Sequence, residues 1–166
     1  MDISFFSKAY EVRQLSVLDV DGIVSLCSKN ELYYRYCPPF VTKESILEDM
    51  RALPPGKEYP DKYYVGYFNG ENLVAVMDLI MKYPDEKTAF IGFFMVDYFV
   101  QNTGIGSKLI GELCSYLPSV GMSYIRLCWV EGNPQAEHFW HKNGFRETGV
   151  KCDMGQYTVI VAQREL

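Results

Sequence analysis

The stretch FIGFFMVDYFVQNTGIGSKLIGELCSYL, residues Phe90 to Leu117, decides how the chain folds. Its first part, Phe90 to Val100, is an apolar run rich in aromatic and β-branched residues, the composition of a buried strand. A polar turn, Gln101-Asn102-Thr103, then leads to Gly104-Ile105-Gly106. Beyond it, Ile105, Leu109, Ile110, Leu113 and Leu117 recur at three- and four-residue intervals, which predicts a helix with one buried face. Strand, glycine turn and helix together present backbone N–H groups to an anion. The first helical turn has unsatisfied donors and the positive dipole end, and glycine lets a phosphate approach the chain. A phosphorylated ligand at Gly104 to Ser107 is therefore the first functional expectation.

The two familiar phosphate loops do not fit. A nucleoside-triphosphate loop ends in Gly-Lys-Ser/Thr, whereas the order here is Gly106-Ser107-Lys108. The dinucleotide fingerprint needs a third glycine where Leu109 stands, and no acidic residue follows a second strand at about twenty residues. A hydride-transferring dinucleotide enzyme rests on Gly104 and Gly106 alone.

Composition sets the outer bounds. A chain of 166 residues, 48% of them hydrophobic, supports one domain over 1–166 with a real core. The 13 tyrosines and 10 phenylalanines supply much of its buried area. A net charge of −5 without any run of Lys or Arg argues against nucleic acid or an anionic membrane as partner. It tilts the substrate only weakly toward a cationic or neutral molecule, and ordinary solubility is the more common reason for a charge of this size. Five widely spaced cysteines without a Cys-x-x-Cys pair read as buried thiols in a reducing cytosol, not as a disulfide framework or a zinc site. His138 and His141 have no acidic or cysteine ligand in register, so no metal is expected. The start, MDISFFSKAYEVRQ, lacks the basic-then-apolar order of a signal peptide, and no window approaches eighteen apolar residues. The expected location is the cytoplasm.

The other elements follow in order. Tyr10 to Val17 reads as a strand, and Leu18 to Lys29 as a helix that Asp19 would cap. Asn30 to Phe40 reads as a tyrosine-dense connector whose Tyr33, Tyr34 and Tyr36 would wall an acceptor pocket or simply pack the helices together. Thr42 to Leu53 is a second helix, stopped by Pro54-Pro55. Tyr63 to Phe68, the turn Asn69-Gly70 and Leu73 to Tyr83 form a hairpin. Tyr124 to Val130 is a strand that the intervening helix should place parallel to Phe90–Val100. Asn133-Pro134 reads as N-cap and first helical position, with Gly144 as the left-handed stop. Phe145 to Val150 and Gln156 to Gln163 close the chain as a strand pair.

The pattern Gln101-x-x-Gly104-x-Gly106 after Val96-Asp97 resembles the pyrophosphate loop of the GNAT family, the acetyl-coenzyme A-dependent N-acetyltransferases. The family's second signature, Asn-x-x-Ala-x-x-Phe-Tyr followed by Gly-Phe, is matched by Asn133, Ala136, Phe139, Trp140, Gly144 and Phe145, beginning 27 residues after Gly106. The resemblance covers Tyr63 to Val150; the first sixty residues match only in helix order. It implies a single α/β domain whose central sheet is mixed but mostly antiparallel, with two splayed parallel strands and about four flanking helices. It also implies acetyl-coenzyme A as cosubstrate, with no metal. Phe94, Met95 and Val96 would offer backbone groups to the pantetheine arm and the thioester. Gln101 and the amides of Asn102, Thr103, Gly104, Ile105, Gly106 and Ser107 would hold the pyrophosphate. Asn133 would be a polar contact at the splay, and Trp140 would lie near the thioester sulfur.

Two positions depart from the family. Position 140 is usually a tyrosine that protonates the leaving thiolate, and Trp140 has only an indole N–H. Some relatives carry a glutamate base five residues before the asparagine, where this chain has Cys128. A base acting through water is then Asp97, Asp78 or Glu131, with Glu131 preferred because Asp97 also suits a turn cap. Tyr98 and Tyr157 both stand open as the acid. The implied activity is direct transfer of acetyl to a primary amine, carried by a small cationic acceptor or by a peptide. The alternative is a non-catalytic sensor that binds acetyl-coenzyme A without turnover. By analogy with dimeric relatives, the apolar strand around Val159 to Val161 would pair across a homodimer interface.

Overall fold

In the computed structural model, which describes residues 1–166, seven strands form one sheet in the order β1-β2-β3-β4-β5-β7-β6. The strands are β1 (Glu11–Gln14), β2 (Lys62–Asn69), β3 (Asn72–Ile80), β4 (Thr88–Val96), β5 (Tyr124–Val130), β6 (Arg146–Asp153) and β7 (Thr158–Glu165). The helices are α1 (Val20–Ser28), α2 (Glu31–Tyr36), α3 (Lys43–Arg51), α4 (Ile105–Tyr116) and α5 (Pro134–Lys142). All neighbouring strands are antiparallel except β4 and β5. The period-two alternation of the strands divides the core between the two faces. Met77, Leu79 and Ile91 point to one side, where Leu109, Ile110 and Leu113 of α4 and Trp140 of α5 cover them. Val76, Met95 and Tyr64 point to the other, against Ile23 and Leu26 of α1 and Ile46 of α3.

Local chemistry explains most boundaries. Thr42 and Ser45 bond each other's backbone N–H in a reciprocal capping box that starts α3. Asn133 Oδ1 accepts from Ala136 N–H at 3.2 Å, Pro134 fills the first position, and Gly144 (φ +85°) ends α5. The expected strand to Val100 stops at Val96 instead. The Asp97 carboxylate accepts from Phe99 N–H at 2.9 Å and winds Tyr98–Val100 into a 3-10 turn. The first strand likewise ends at Gln14, and the reach of Asp19 differs from the expectation. Its carboxylate turns back to Ser16 N–H and to Arg13, leaving α1 without a side-chain cap. The connector after Asn30 contains a fifth helix, α2, only six residues long. The hairpin turn is one residue later than read, because Asn69 pairs with Asn72 around Gly70-Glu71.

Two irregularities shape the centre of the sheet. β4 and β5 pair only from Thr88/Tyr124 to Ile91/Leu127, and then diverge as expected. On the other edge of β4 the register with β3 jumps from Leu79/Ile91 to Asp78/Phe93, which leaves Gly92 as a bulge residue. The closing strands correct one expectation outright. β7 lies between β5 and β6 with both edges hydrogen-bonded, so Val159–Val161 has no free edge for a second chain; the open edges belong to β1 and β6.

Candidate active site

The splay opens a cleft of about 350 Å³ between the end of β4, the first turn of α4 and the outer face of α5. Phe94, Met95 and Val96 form one wall, and Gln101, Asn102, Gly104, Gly106 and Ser107 form its floor. Asn133 and Trp140 close it from α5. Thr103 and Ile105 belong to the same turn without lining the cleft; Thr103 Oγ1 donates to Val100 O at 2.6 Å. The cleft also takes in residues that the sequence reading did not single out, among them Asn30, Tyr33, Gln135, His138 and Lys142. Gln135, His138 and Lys142 follow one another at three- and four-residue intervals on α5, a readable signal. Asn30 had none, because Val96 and Gln101, which tie it to the cleft, are distant in sequence.

The backbone geometry suits an extended ligand that carries amides and an anion. Asp97 N–H bonds Val74 O at 2.9 Å, so strand alternation turns the N–H and C=O of Val96 and Phe94 to the open side of β4. β5 has left by then, and these groups lack a strand partner. The Val96 carbonyl is engaged: Gln101 Nε2 donates to it at 3.1 Å and Asn30 Nδ2 at 3.5 Å. Gln101 Nε2 also donates to Asn30 Oδ1, so Gln101 braces the turn from within. At the start of α4, Gly104 has φ +90°, a conformation that glycine alone adopts without strain. The helix has no side-chain cap and no acidic residue in its first turn, which leaves its leading N–H groups free for an anion. Gly106 is needed for closeness, since a Cβ there would stand 3.1 Å from the Phe139 ring.

The candidates for acid and base scatter. Glu131, preferred from sequence, lies outside the cleft in the turn after β5, where its carboxylate is ion-paired with Lys151 of β6. Asp97 caps its turn and pairs with Lys29 at 3.1 Å, the alternative role noted for it. Tyr98 is 57% exposed and packs edge-on to Phe99, in a neighbouring hollow and outside the cleft. Tyr157 is the hydrogen-bond acceptor for the Cys37 thiol at 3.3 Å, and this contact with burial pushes its hydroxyl up to about 12. Trp140 is buried, packed at ring distances of 4.9–6.0 Å among Phe94, Phe139 and Phe145, and still borders the cleft. Burial pushes the Cys128 thiol up to about 11, which disfavours it as a nucleophile. Among the other cysteines Cys27 and Cys114 are buried, but Cys152 is exposed on β6, contrary to the expectation of buried thiols.

A second set of polar groups lies where the bulge faces α3. Asp78, opposite Phe93, directs Oδ2 to Lys62 Nζ at 2.7 Å, and Lys62 Nζ also donates to Ala52 O at 3.0 Å. Burial raises the Asp78 carboxyl above the usual range, and Lys62 partly offsets this. Its Oδ1 is buried without a partner, as is the hydroxyl of Tyr64. Asp49 of α3 is exposed. Desolvation and the neighbouring Asp78 lift its carboxyl to about 6, while Lys62 acts in the opposite direction. The half-buried Tyr33 packs edge-on against Phe93 at 6.0 Å, and Tyr34 stands against Tyr33 at 5.0 Å, completing an aromatic wall.

Comparison with solved structures places this arrangement. The chain superposes with a TM-score of 0.77 on an acetyltransferase from Thermus thermophilus, at 19% identity over 95% of this chain and 97% of that one. The PaiA N-acetyltransferase of Thermoplasma acidophilum, solved with coenzyme A, gives 0.69 at 18% identity over 95% and 99%. The spermidine N-acetyltransferase of Vibrio cholerae, solved with CoA and spermine, gives 0.68 at 17% identity over 96% of each chain. No curated protein matches this sequence. The family model for the acetyltransferase (GNAT) family matches residues 29–145, the segment that holds the glycine turn, the splayed strands and the Asn133 helix. With well over half of its length inside that match, the chain belongs to the acetyltransferase (GNAT) family.

Proposed function

We propose that this protein is an N-acetyltransferase that moves acetyl from acetyl-coenzyme A to a primary amine by direct attack. The observation that carries the reading is the single cleft in which the unpaired edge at Phe94 and Val96 meets the uncapped start of α4. Phe94 and Val96 would pair with the pantetheine amides much as an added strand does. The N–H groups of Ile105, Gly106 and Ser107 would hold the pyrophosphate, with Lys142 adding positive charge along the same cleft. Trp140 and Phe139 would keep water from the thioester.

Amine attack needs a neutral amine, a polarised carbonyl and close placement. Placement alone is worth roughly 7–11 kcal/mol in well-oriented systems. One backbone donor at the developing oxyanion adds about 3–4 kcal/mol, and the free N–H of Val96 or Phe94 is suited to that role. A cytoplasmic setting and a small cationic acceptor fit the acidic composition; a peptide amine is the other acceptor class. The second reading, a sensor without turnover, draws on the buried Trp140, which cannot protonate a leaving thiolate.

Calorimetric titration with acetyl-coenzyme A, alongside Ser107→Glu, tests the reading. The variant sets a carboxylate on the pyrophosphate floor and should weaken binding at least tenfold. No binding by the unaltered protein refutes both readings. Tight binding without acetylation of any amine supports the sensor.

A further inference from the structure

We infer that the acceptor site is the hollow beside the coenzyme cleft, and that it takes an amine carrying a carboxylate on an aromatic body. The inference rests on the acetyl-transfer reading and adds the acceptor class that the reading leaves open. The hollow, about 500 Å³, lies between α2, the 3-10 turn at Tyr98–Val100 and the start of α5. Asn30, Tyr33 and Gln101 on one side and Gln135 on the other border both spaces, so hollow and cleft meet between them. Gln101 Nε2 donates to the Val96 carbonyl at 3.1 Å, which sets this junction one side chain from the strand end that would pair with the coenzyme arm. An amine held at the junction is therefore beside that arm.

The walls decide the class of occupant. Glu31 is the only acid that borders either space, against the cations Lys29, Arg35 and Lys142. The net charge of −5 belongs to the whole chain and not to the site, where a polyamine would find one carboxylate for its several ammonium groups. Lys29 is already held by Asp97 at 3.1 Å and lies 5.2 Å from the centre of the Phe99 ring. Lys142 stands on the coenzyme side of the junction. Arg35 is exposed and enters no ion pair, although Glu31 lies one turn before it on α2. Its guanidinium presents paired N–H donors that match the two oxygens of a carboxylate. Glu31 remains for the ammonium of the same molecule. The apolar part of the site is equally plain, because Leu32, Tyr98 and Phe99 are 41%, 57% and 77% exposed and all border the hollow. Apolar side chains exposed together around a cavity mark a ligand surface. Tyr98 and Phe99 stand edge to face at 5.8 Å, which leaves aromatic surface for a third ring. An α-amino acid with an aromatic side chain satisfies all three demands.

The test follows thiol release from acetyl-coenzyme A with L-phenylalanine, phenethylamine, L-alanine and spermidine as probes. Phenethylamine lacks the carboxylate, and L-alanine lacks the ring. In Arg35→Met, at an exposed position, the ratio of kcat/KM for L-phenylalanine to that for phenethylamine should fall at least tenfold. In Phe99→Ala the ratio for L-phenylalanine over L-alanine should fall about threefold to tenfold. A general structural defect lowers all probes together and leaves both ratios where they were, and unchanged ratios overturn the inference. Spermidine as the best of the probes overturns it as well. Calorimetry separates this site from the acetyl-transfer reading. L-Phenylalanine binding that Arg35→Met weakens tenfold supports the site even if acetyl-coenzyme A does not bind. Coenzyme binding with no binding of L-phenylalanine overturns the site and leaves the acetyl-transfer reading standing.

Discussion

Replacing Lys62 by Met tests the buried pair that anchors the polar site. The Lys62 side chain is 4% exposed and that of Asp78 12%, with Nζ 2.7 Å from Oδ2 and 5.6 Å from the Tyr64 ring centre. Methionine keeps most of the aliphatic stem and removes the charge, so Asp78 is left buried with no partner for either oxygen. Breaking one side of a buried pair costs about 3–5 kcal/mol. For a domain of this size each kcal/mol moves Tm by about 2–4 °C, which gives a fall of roughly 6–20 °C. The pH dependence is fixed in sign. Burial already raises the Asp78 carboxyl in the folded state, and loss of Lys62 raises it further. A carboxyl whose folded value exceeds its unfolded value carries no penalty while protonated in both states, and the full penalty once pH exceeds the folded value. The deficit of Lys62→Met should therefore widen as pH rises from about 4 toward 8, as read by thermal denaturation followed by circular dichroism. A deficit below about 1 kcal/mol, or one that does not change with pH, would show that solvent compensates Asp78 and would refute the account of a desolvated pair.

Two other substitutions probe the coenzyme side. Asn133→Ala removes the cap on Ala136 N–H and should cost about 1 kcal/mol, with no change in stability counting against the capping role; denaturant titration measures it. Gly104→Ala forces a Cβ onto a residue at φ +90°, for roughly 1–2 kcal/mol of strain, and should weaken acetyl-coenzyme A binding about tenfold as the first turn of α4 shifts. Calorimetry that finds the affinity unchanged would detach the glycine turn from the ligand.

Where the deciding interactions are local, the sequence was readable. The glycine turn, the periodic face of α4 and the Asn133-Pro134 cap each depend on residues within one or two turns of each other, and all appear where the pattern puts them. The parallel β4–β5 pair followed from chirality and an intervening helix. The misses are of another kind. α2 is too short for periodicity to register, and the end of β4 is set by one Asp97 side chain. The order β5-β7-β6 puts the last strand between two others, which no local pattern records, so Val159–Val161 was read as a free edge that it is not. Glu131 looked free beside the cap because its partner, Lys151, is twenty residues away.

The same distinction explains why acid–base chemistry was hard to place. Positions 128 and 140 could be compared with a family pattern, and both lacked the expected group. Asp49 is one polar residue among several on α3, and Asp78 is one charge in an apolar strand, named from sequence only as one of three bases. Neither is informative alone. The fold brings Asp78 against Lys62 beneath the end of α3, where the Ala52 carbonyl accepts from the same ammonium. A proton acceptor needs reach to the amine and a suitable affinity for the proton, and no particular strand position is required for either. In this chain the position of the usual glutamate holds a half-buried thiol, while the carboxyl that burial and Asp78 lift to about 6 belongs to α3. Loss of the family's glutamate and tyrosine therefore does not by itself argue for a silent coenzyme-binding module, because the proton acceptor can come from another element of the fold.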